Sequence, residues 1–289
     1  MNYLNLGCGR RFHSAWTNVN FTSTDPAVIA HNLTQGIPFP DAAFEVVYHS
    51  HLLEHFPKAE APAFLRECYR VLGPQGILRI AVPDLEQIIR SYIFALEQAL
   101  DGSPEAADNY DWLLLELFDQ MVRNHSGGDM AAYLRQPDLP NEAFILKRLG
   151  TEAKNLIATG RQPQPVSPPN PWFKRTFRLL YRLLRDSGYR YETLLKCILN
   201  PTDHQALQIG RFRKSGEVHQ WMYDRYSLEQ LLAQCGFVNI MQRTAIESYI
   251  SDWSQFNLDT EPDDSIYKPD SLYLEAIKPS LIFEDNEKR

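Results

Sequence analysis

The stretch Leu4-Asn5-Leu6-Gly7-Cys8-Gly9 decides the reading of this chain. An apolar run that alternates with one amide ends in two glycines separated by a single residue. Glycine reaches positive φ without penalty and lets another molecule approach the backbone. At the carboxyl end of a first parallel strand, such a turn seats a nucleotide-like ligand. A full dinucleotide fingerprint needs a third glycine, and Phe12 stands in its place. Only a few residues separate Gly9 from the next strand-like run, Trp16 to Phe21, so there is little room for the helix that carries a pyrophosphate. A nicotinamide or flavin dinucleotide is therefore disfavoured.

Strand and helix signals alternate outward from this turn. Tyr3–Leu6, Trp16–Phe21, Val28–Leu33, Phe44–His49 and Ile77–Val82 read as strands. Pro57 to Leu72 reads as a helix, with Phe64, Leu65, Cys68, Tyr69 and Leu72 on one face, and Gly73-Pro74-Gln75-Gly76 as its stop. Beyond Leu85 the pattern turns helical: Leu85–Leu100, Asp108–Arg123, Asn141–Thr159 and Trp172–Leu199. A proline-rich run, 162–171, divides the last two as a semi-rigid linker. The mixed pattern then returns, with a helix over Ser227–Cys235 capped by Ser227, and strands over Phe237–Ala245 and Ser271–Ile277. This order predicts an α/β fold with right-handed crossovers. Residues 1–85 and 215–289 form its core, and 86–214 a helical insertion on the acceptor side.

The chain has 289 residues and a net charge of -7. That balance argues against a nucleic-acid partner bound by general electrostatics. Cys8, Cys68, Cys197 and Cys235 lack metal-type spacing and read as reduced thiols. No signal peptide or membrane-spanning run is visible, so the expected location is cytoplasmic. One segment departs from the acidic average. Residues 172–196 carry seven basic and two acidic side chains beside an apolar stripe that includes Trp172, Phe173, Phe177 and Leu180. They read first as a helix docked on the core with a solvated basic face. Weak contact with an anionic membrane surface, or with a phosphorylated carrier, is the alternative.

Taken with four further segments, the opening turn resembles the first motif of the class I S-adenosylmethionine-dependent methyltransferases. His31-Asn32-Leu33 followed by Gly36-Ile37-Pro38-Phe39-Pro40-Asp41 resembles the loop after their third strand. Val46 to His55 resembles their fourth strand and its turn. Arg66-Glu67-Cys68-Tyr69-Arg70-Val71-Leu72-Gly73-Pro74-Gln75-Gly76 resembles the end of the following helix. Two strands close the chain, as in that fold. The resemblance implies a Rossmann-like, mostly parallel seven-stranded sheet with its last strand antiparallel. It implies S-adenosylmethionine as cofactor, with Asn5, Gly7, Cys8 and Gly9 under the methionine part and Asn20 on the ribose. Asn32 and Leu33 would meet the adenine, and His49 and Ser50 the amino-acid group. Asn5, Asn20 and Asn32 stand where that family usually carries acids. An amide keeps an acceptor and gains donors but loses the charge-assisted part of such bonds.

His51 is the candidate general base, because a near-neutral imidazole suits that role and the segment lies where the acceptor approaches. His51 and His55 are four apart and could share a metal, but nothing in the sequence fixes a third ligand, so no metal is expected. His125, His219, Trp221 and Tyr249 are the acceptor-side candidates, each with packing between insertion and core as the plainer alternative. The reading is methyl transfer, as O-methylation, to a small-molecule or saccharide acceptor. The competing reading is a methyltransferase-like scaffold that has lost its chemistry.

Overall fold

The computed structural model describes residues 2–23, 25–162, 181, 182 and 184–280. Seven strands form one sheet: β1 (Tyr3–Leu6), β2 (Thr17–Asn20), β3 (Val28–Ala30), β4 (Phe44–Ser50), β5 (Leu72–Pro83), β6 (Val238–Arg243) and β7 (Ser271–Ile277). Their spatial order is β3-β2-β1-β4-β5-β7-β6. The first five are mutually parallel, and β7 runs antiparallel between β5 and β6. The helices are α1 (Ala61–Val71), α2 (Leu85–Leu100), α3 (Pro104–Val122), α4 (Gly128–Leu134), α5 (Glu142–Gly160), α6 (Ser187–Ile198), α7 (Pro201–Arg213) and α8 (Arg225–Gln234).

Strand alternation sends Leu4, Leu6, Val47, Leu78 and Ile80 to one face, where Phe64, Leu65, Cys68 and Val71 of α1 and Leu228 and Leu232 of α8 bury them. Tyr3, Val46 and Tyr48 face the other way. Among the described residues, no long helix covers them. Trp16 and a connection between β6 and β7, through Ile250, Trp253, Phe256 and Leu258, form that second core. Arg79 fixes the connection from within the sheet. It is fully buried, bonds Asp259 (2.9 Å) and Glu275 (2.8 Å), and donates to the Thr244 and Glu247 carbonyls. The Tyr48 hydroxyl bonds the other Asp259 oxygen at 2.6 Å. A charge this deep is tolerated only when its partners and remaining donors are satisfied.

Several boundaries differ from the sequence expectation. β3 stops at Ala30, because Asn32 caps a short 3₁₀ turn by accepting from the Thr34 amide. Gly73–Gly76 do not end the pairing. They bulge out of β5, whose partners step from Phe44↔Leu72 to Val46↔Ile77. Asp224, not Ser227, caps α8, and Ser227 returns the bond as the third residue of a capping box. The helix expected over Trp172–Leu199 is not continuous, since extended Asp186 (φ -104, ψ 103) caps α6 as a separate start. Residues 172–180 and 183 of the basic stretch, and all but Gln162 of the proline-rich run, lie outside the described residues. The short α4 and the polar α7 carry no strong periodic signal and were not expected. Among the described residues, no helix is long and apolar enough to cross a membrane.

Candidate active site

The site is built on the carboxyl ends of β1, β2 and β4. Gly7 (φ +66) and Gly9 (φ +55) both take the left-handed conformation. A Cβ at Gly7 would stand 2.8 Å from Leu52 Cδ1, so a side chain there requires Leu52 to shift as well as a left-handed φ. The turn leads to no helix. The Cys8 amide donates to the Val19 carbonyl (3.2 Å) and the Gly9 amide to Asn20 Oδ1 (3.4 Å), which folds the turn straight onto β2.

Two cavities open beside it. The first, about 500 Å³, is lined by Gly7, Asn20, Asn32, Leu33, Leu52 and Lys214, among others. The second, about 550 Å³, lies toward the β6–β7 connection and is lined by Asn5, Gly7, Cys8, Gly9, Ser50 and further polar groups described below. Gly7 and His51 border both cavities.

His51 occupies this junction in a strained conformation, with φ +49. Its Nε2 lies 2.8 Å from Ser271 Oγ, and its Nδ1 lies 3.3 Å from Glu54 Oε1. Glu54 has no exposed surface. Burial pushes its carboxyl up, but the imidazoles of His51, His219 and His55 outweigh that and hold it below the usual range. Burial lowers His219 to about 3, and it lowers His55 as well.

The predicted residues divide among these features. Gly7, Asn20, Asn32 and Leu33 line the first cavity, and Asn5, Gly7, Cys8, Gly9 and Ser50 the second. The His49 side chain lines neither. It is buried against Phe64 (ring centroids 5.3 Å), and burial lowers its pKa to about 4. His125 is exposed in the loop before α4. Trp221 packs against the first core with the Lys58 ammonium over its ring at 4.2 Å. Tyr249 carries the Arg243 guanidinium at 3.7 Å. His219 meets the His55 ring edge to face at 4.7 Å. None of these four lines either cavity.

Sequence reasoning missed the groups that complete the second cavity: Thr151 and Asn155 of α5, and Glu261, Tyr267 and Lys268 of the β6–β7 connection. Lys268 pairs with Glu152 at 2.9 Å. The one available signal was Gly150, a glycine inside a helical run. It breaks α5 at φ +59, and a Cβ there would stand 2.7 Å from the Tyr267 carbonyl oxygen.

Residues 4–80 match a family model described as a methyltransferase domain. No curated protein matches the chain. Among solved structures, the chain is similar to a SAM-dependent methyltransferase from Archaeoglobus fulgidus, with 11% identity and a TM-score of 0.37 over 96% of this chain and 86% of that one. It is also similar to a putative methyltransferase from Bacillus halodurans, with 12% identity and a TM-score of 0.33 over 96% and 92%. The family match spans the glycine turn and the strands β1 to β4 that frame both cavities, and the sheet has the expected single antiparallel insertion. Residues 4–80 are thus similar to a methyltransferase domain, and they lie in a sheet with the strand order and single antiparallel insertion expected of that fold.

Proposed function

We propose that the first cavity holds the cofactor, the second the acceptor, and that the acceptor is a saccharide or similarly polar small molecule methylated on a hydroxyl. The single observation that carries this reading is the position of His51 at the junction of the two cavities. The cavity residues suit the cofactor. Gly7 provides a backbone cradle that a Cβ would fill, Asn20 offers an amide at the end of β2, and Asn32 and Leu33 offer an amide and an apolar wall at the end of β3. When bound, the cofactor supplies an electrophilic methyl group on a sulfonium.

The chain's own residues supply alignment and a proton acceptor. Alignment alone accounts for much of the rate of such a displacement. The Glu54 carboxylate beside Nδ1 keeps the ring proton there, which leaves Nε2 as the acceptor. An acceptor hydroxyl would give its proton to Nε2, directly or through the Ser271 hydroxyl that already shares it. Glu54 is thus a positioning residue. The polar lining of the second cavity, with Asn155, Glu261 and Lys268, suits an acceptor rich in hydroxyls. Residues 86–214 serve as the acceptor-side insertion, since α5 contributes Thr151 and Asn155 to that wall.

The test is transfer of a labelled methyl group from the cofactor to a panel of mono- and disaccharides, with small amines as the comparison. A hydroxyl is expected to gain the label, and His51→Gln to slow transfer by about 10²–10⁴-fold while S-adenosylhomocysteine affinity changes little. Labelling of amines alone, or an unchanged rate in His51→Gln, overturns the reading.

A further inference from the structure

We infer that Glu54, His55 and His219 form a binding site for a divalent first-row transition cation of the zinc type. One donor atom from each residue lies within 4.8 Å of the other two. Glu54 Oε2, His55 Nδ1 and His219 Nδ1 are buried without a hydrogen-bond partner among the described residues, and Glu54 Oε1 meets only His51 Nδ1, at 3.3 Å. A buried carboxylate and two buried imidazoles, each with an unpartnered polar atom, are costly, and a single cation would satisfy all three side chains together. Backbone bonds help to hold the segments that carry these residues. The Gln220 and Trp221 amides donate to the Glu54 carbonyl at 2.7 and 3.2 Å, and the His219 amide donates to the Gln120 carbonyl at 3.0 Å.

The donor set decides the class of ion. Two imidazoles with one carboxylate suit zinc and its first-row neighbours, whereas Mg²⁺ and Ca²⁺ prefer oxygen ligands throughout. Bonds of about 2.0–2.2 Å require the three donors to close in by small rotamer changes. Three protein ligands leave a coordination position for water or an acceptor oxygen. His51, 3.3 Å from Glu54 through Nδ1, would then orient a metal-bound carboxylate. The site requires no assumption about the acceptor, and His55 also borders the first cavity.

The experiment is calorimetric titration of Zn²⁺, and separately of Mg²⁺, into chelator-stripped full-length protein. The variants are His219→Ala, Glu54→Gln and His55→Gln, with the exposed His125→Ala as control. S-adenosylhomocysteine is titrated in parallel, and folding is checked by circular dichroism. One Zn²⁺ per chain is expected in the wild type and in His125→Ala, with at least a hundredfold loss in each ligand variant and no heat with Mg²⁺. If a ligand variant fails to fold, the other two carry the comparison. Absence of Zn²⁺ binding in the wild type, undiminished binding in the folded ligand variants, or Mg²⁺ binding as tight as Zn²⁺ overturns the inference. Loss of S-adenosylhomocysteine binding with Zn²⁺ binding intact would instead overturn the placement of the cofactor.

Discussion

Gly7→Ala separates two costs that the structure assigns to one position. The first is backbone strain. Gly7 sits at φ +66, and an L-residue held in that region costs about 1–2 kcal/mol. The second is steric. The new Cβ would lie 2.8 Å from Leu52 Cδ1 and 3.0 Å from Cδ2, too close for any side chain to accept, so Leu52 must move. Overpacking of this kind costs about 1–3 kcal/mol. The sum is roughly 2–5 kcal/mol, and at about 2–4 °C per kcal/mol the melting temperature should fall by roughly 4–20 °C. Leu52 lines the first cavity, so its displacement should also weaken S-adenosylhomocysteine binding by about tenfold or more, about 1.4 kcal/mol. The double variant with Leu52→Ala isolates the steric share. In that background Gly7→Ala should cost only the strain, which leaves a coupling of about 1–3 kcal/mol. Differential scanning calorimetry and S-adenosylhomocysteine titration read both quantities. A coupling near zero would refute the clash with Leu52, and Gly7→Ala with wild-type affinity would refute the placement of the cofactor against this turn.

Arg79→Leu should strand Asp259 and Glu275 in the core and cost about 3–5 kcal/mol by chemical denaturation. Adding Asp259→Asn and Glu275→Gln should recover most of it, and a loss below about 1 kcal/mol in the single variant would show that the ion cluster does not anchor the β6–β7 connection. His49 predicts an acid limb. Burial lowers its folded pKa from 6.5 to about 4, so the folded state resists the proton that the unfolded chain accepts. Its contribution is full above pH 6.5 and is lost as pH falls toward 4, by roughly 3 kcal/mol; His49→Leu should flatten that part of the stability–pH curve, and an unchanged slope would contradict the burial argument. Asn5→Asp should destabilise by about 1–3 kcal/mol, because a buried acceptor would replace a donor, whereas Asn32→Asp should be tolerated; equal melting temperatures for the two variants would sink the distinction.

The parallel half of the fold was legible because strand alternation and the glycine turn are local signals. β1 was bounded correctly, α2 was bounded to the residue, and β7 likewise, since each has a strong periodic pattern with a clear cap or stop. The helix stop before Gly73–Gly76 was legible, but not that these residues also form a bulge within β5, which starts at Leu72. Of the nine residues that the resemblance put at the cofactor, Gly7, Asn20, Asn32 and Leu33 meet at the first cavity, Asn5, Cys8, Gly9 and Ser50 line the second, and the His49 side chain lines neither. One side of the second cavity, from Asn5, Gly7, Cys8, Gly9, Ser50 and His51, was among the predicted site residues, but the opposite side was not legible. The cavity wall comes from α5, from the β6–β7 connection and from the turn, which meet only through long-range contacts such as Glu152–Lys268 and Arg11–Glu261. The cluster of Glu54, His55 and His219 was half visible. His55 was noticed with His51, but the third ligand arrives from the far end of the insertion, where no spacing rule reaches.

The three amides read differently once the turn is seen to lead to no helix. Asn5 is buried and uses its amide hydrogens twice, toward Asn18 Oδ1 at 3.2 Å and the Arg11 carbonyl at 3.3 Å. A carboxylate there would meet two acceptors. The Arg11 carbonyl faces the sheet because the chain folds back at Cys8–Arg11, where the Arg11 amide donates to the Cys8 carbonyl at 2.8 Å. Asn20 likewise uses both ends, accepting from the Gly9 amide and donating to the Thr22 carbonyl at 2.9 Å. Asn32 only accepts, from the Thr34 amide and hydroxyl, which a carboxylate could do equally. Two of the three amides thus follow from the shortened turn and need not signal a lost cofactor. Arg11 ties the β6–β7 connection across the Tyr3–Tyr48 face of the sheet through the Leu258 and Thr260 carbonyls and the Tyr267 ring. The second cavity opens between that connection and the turn.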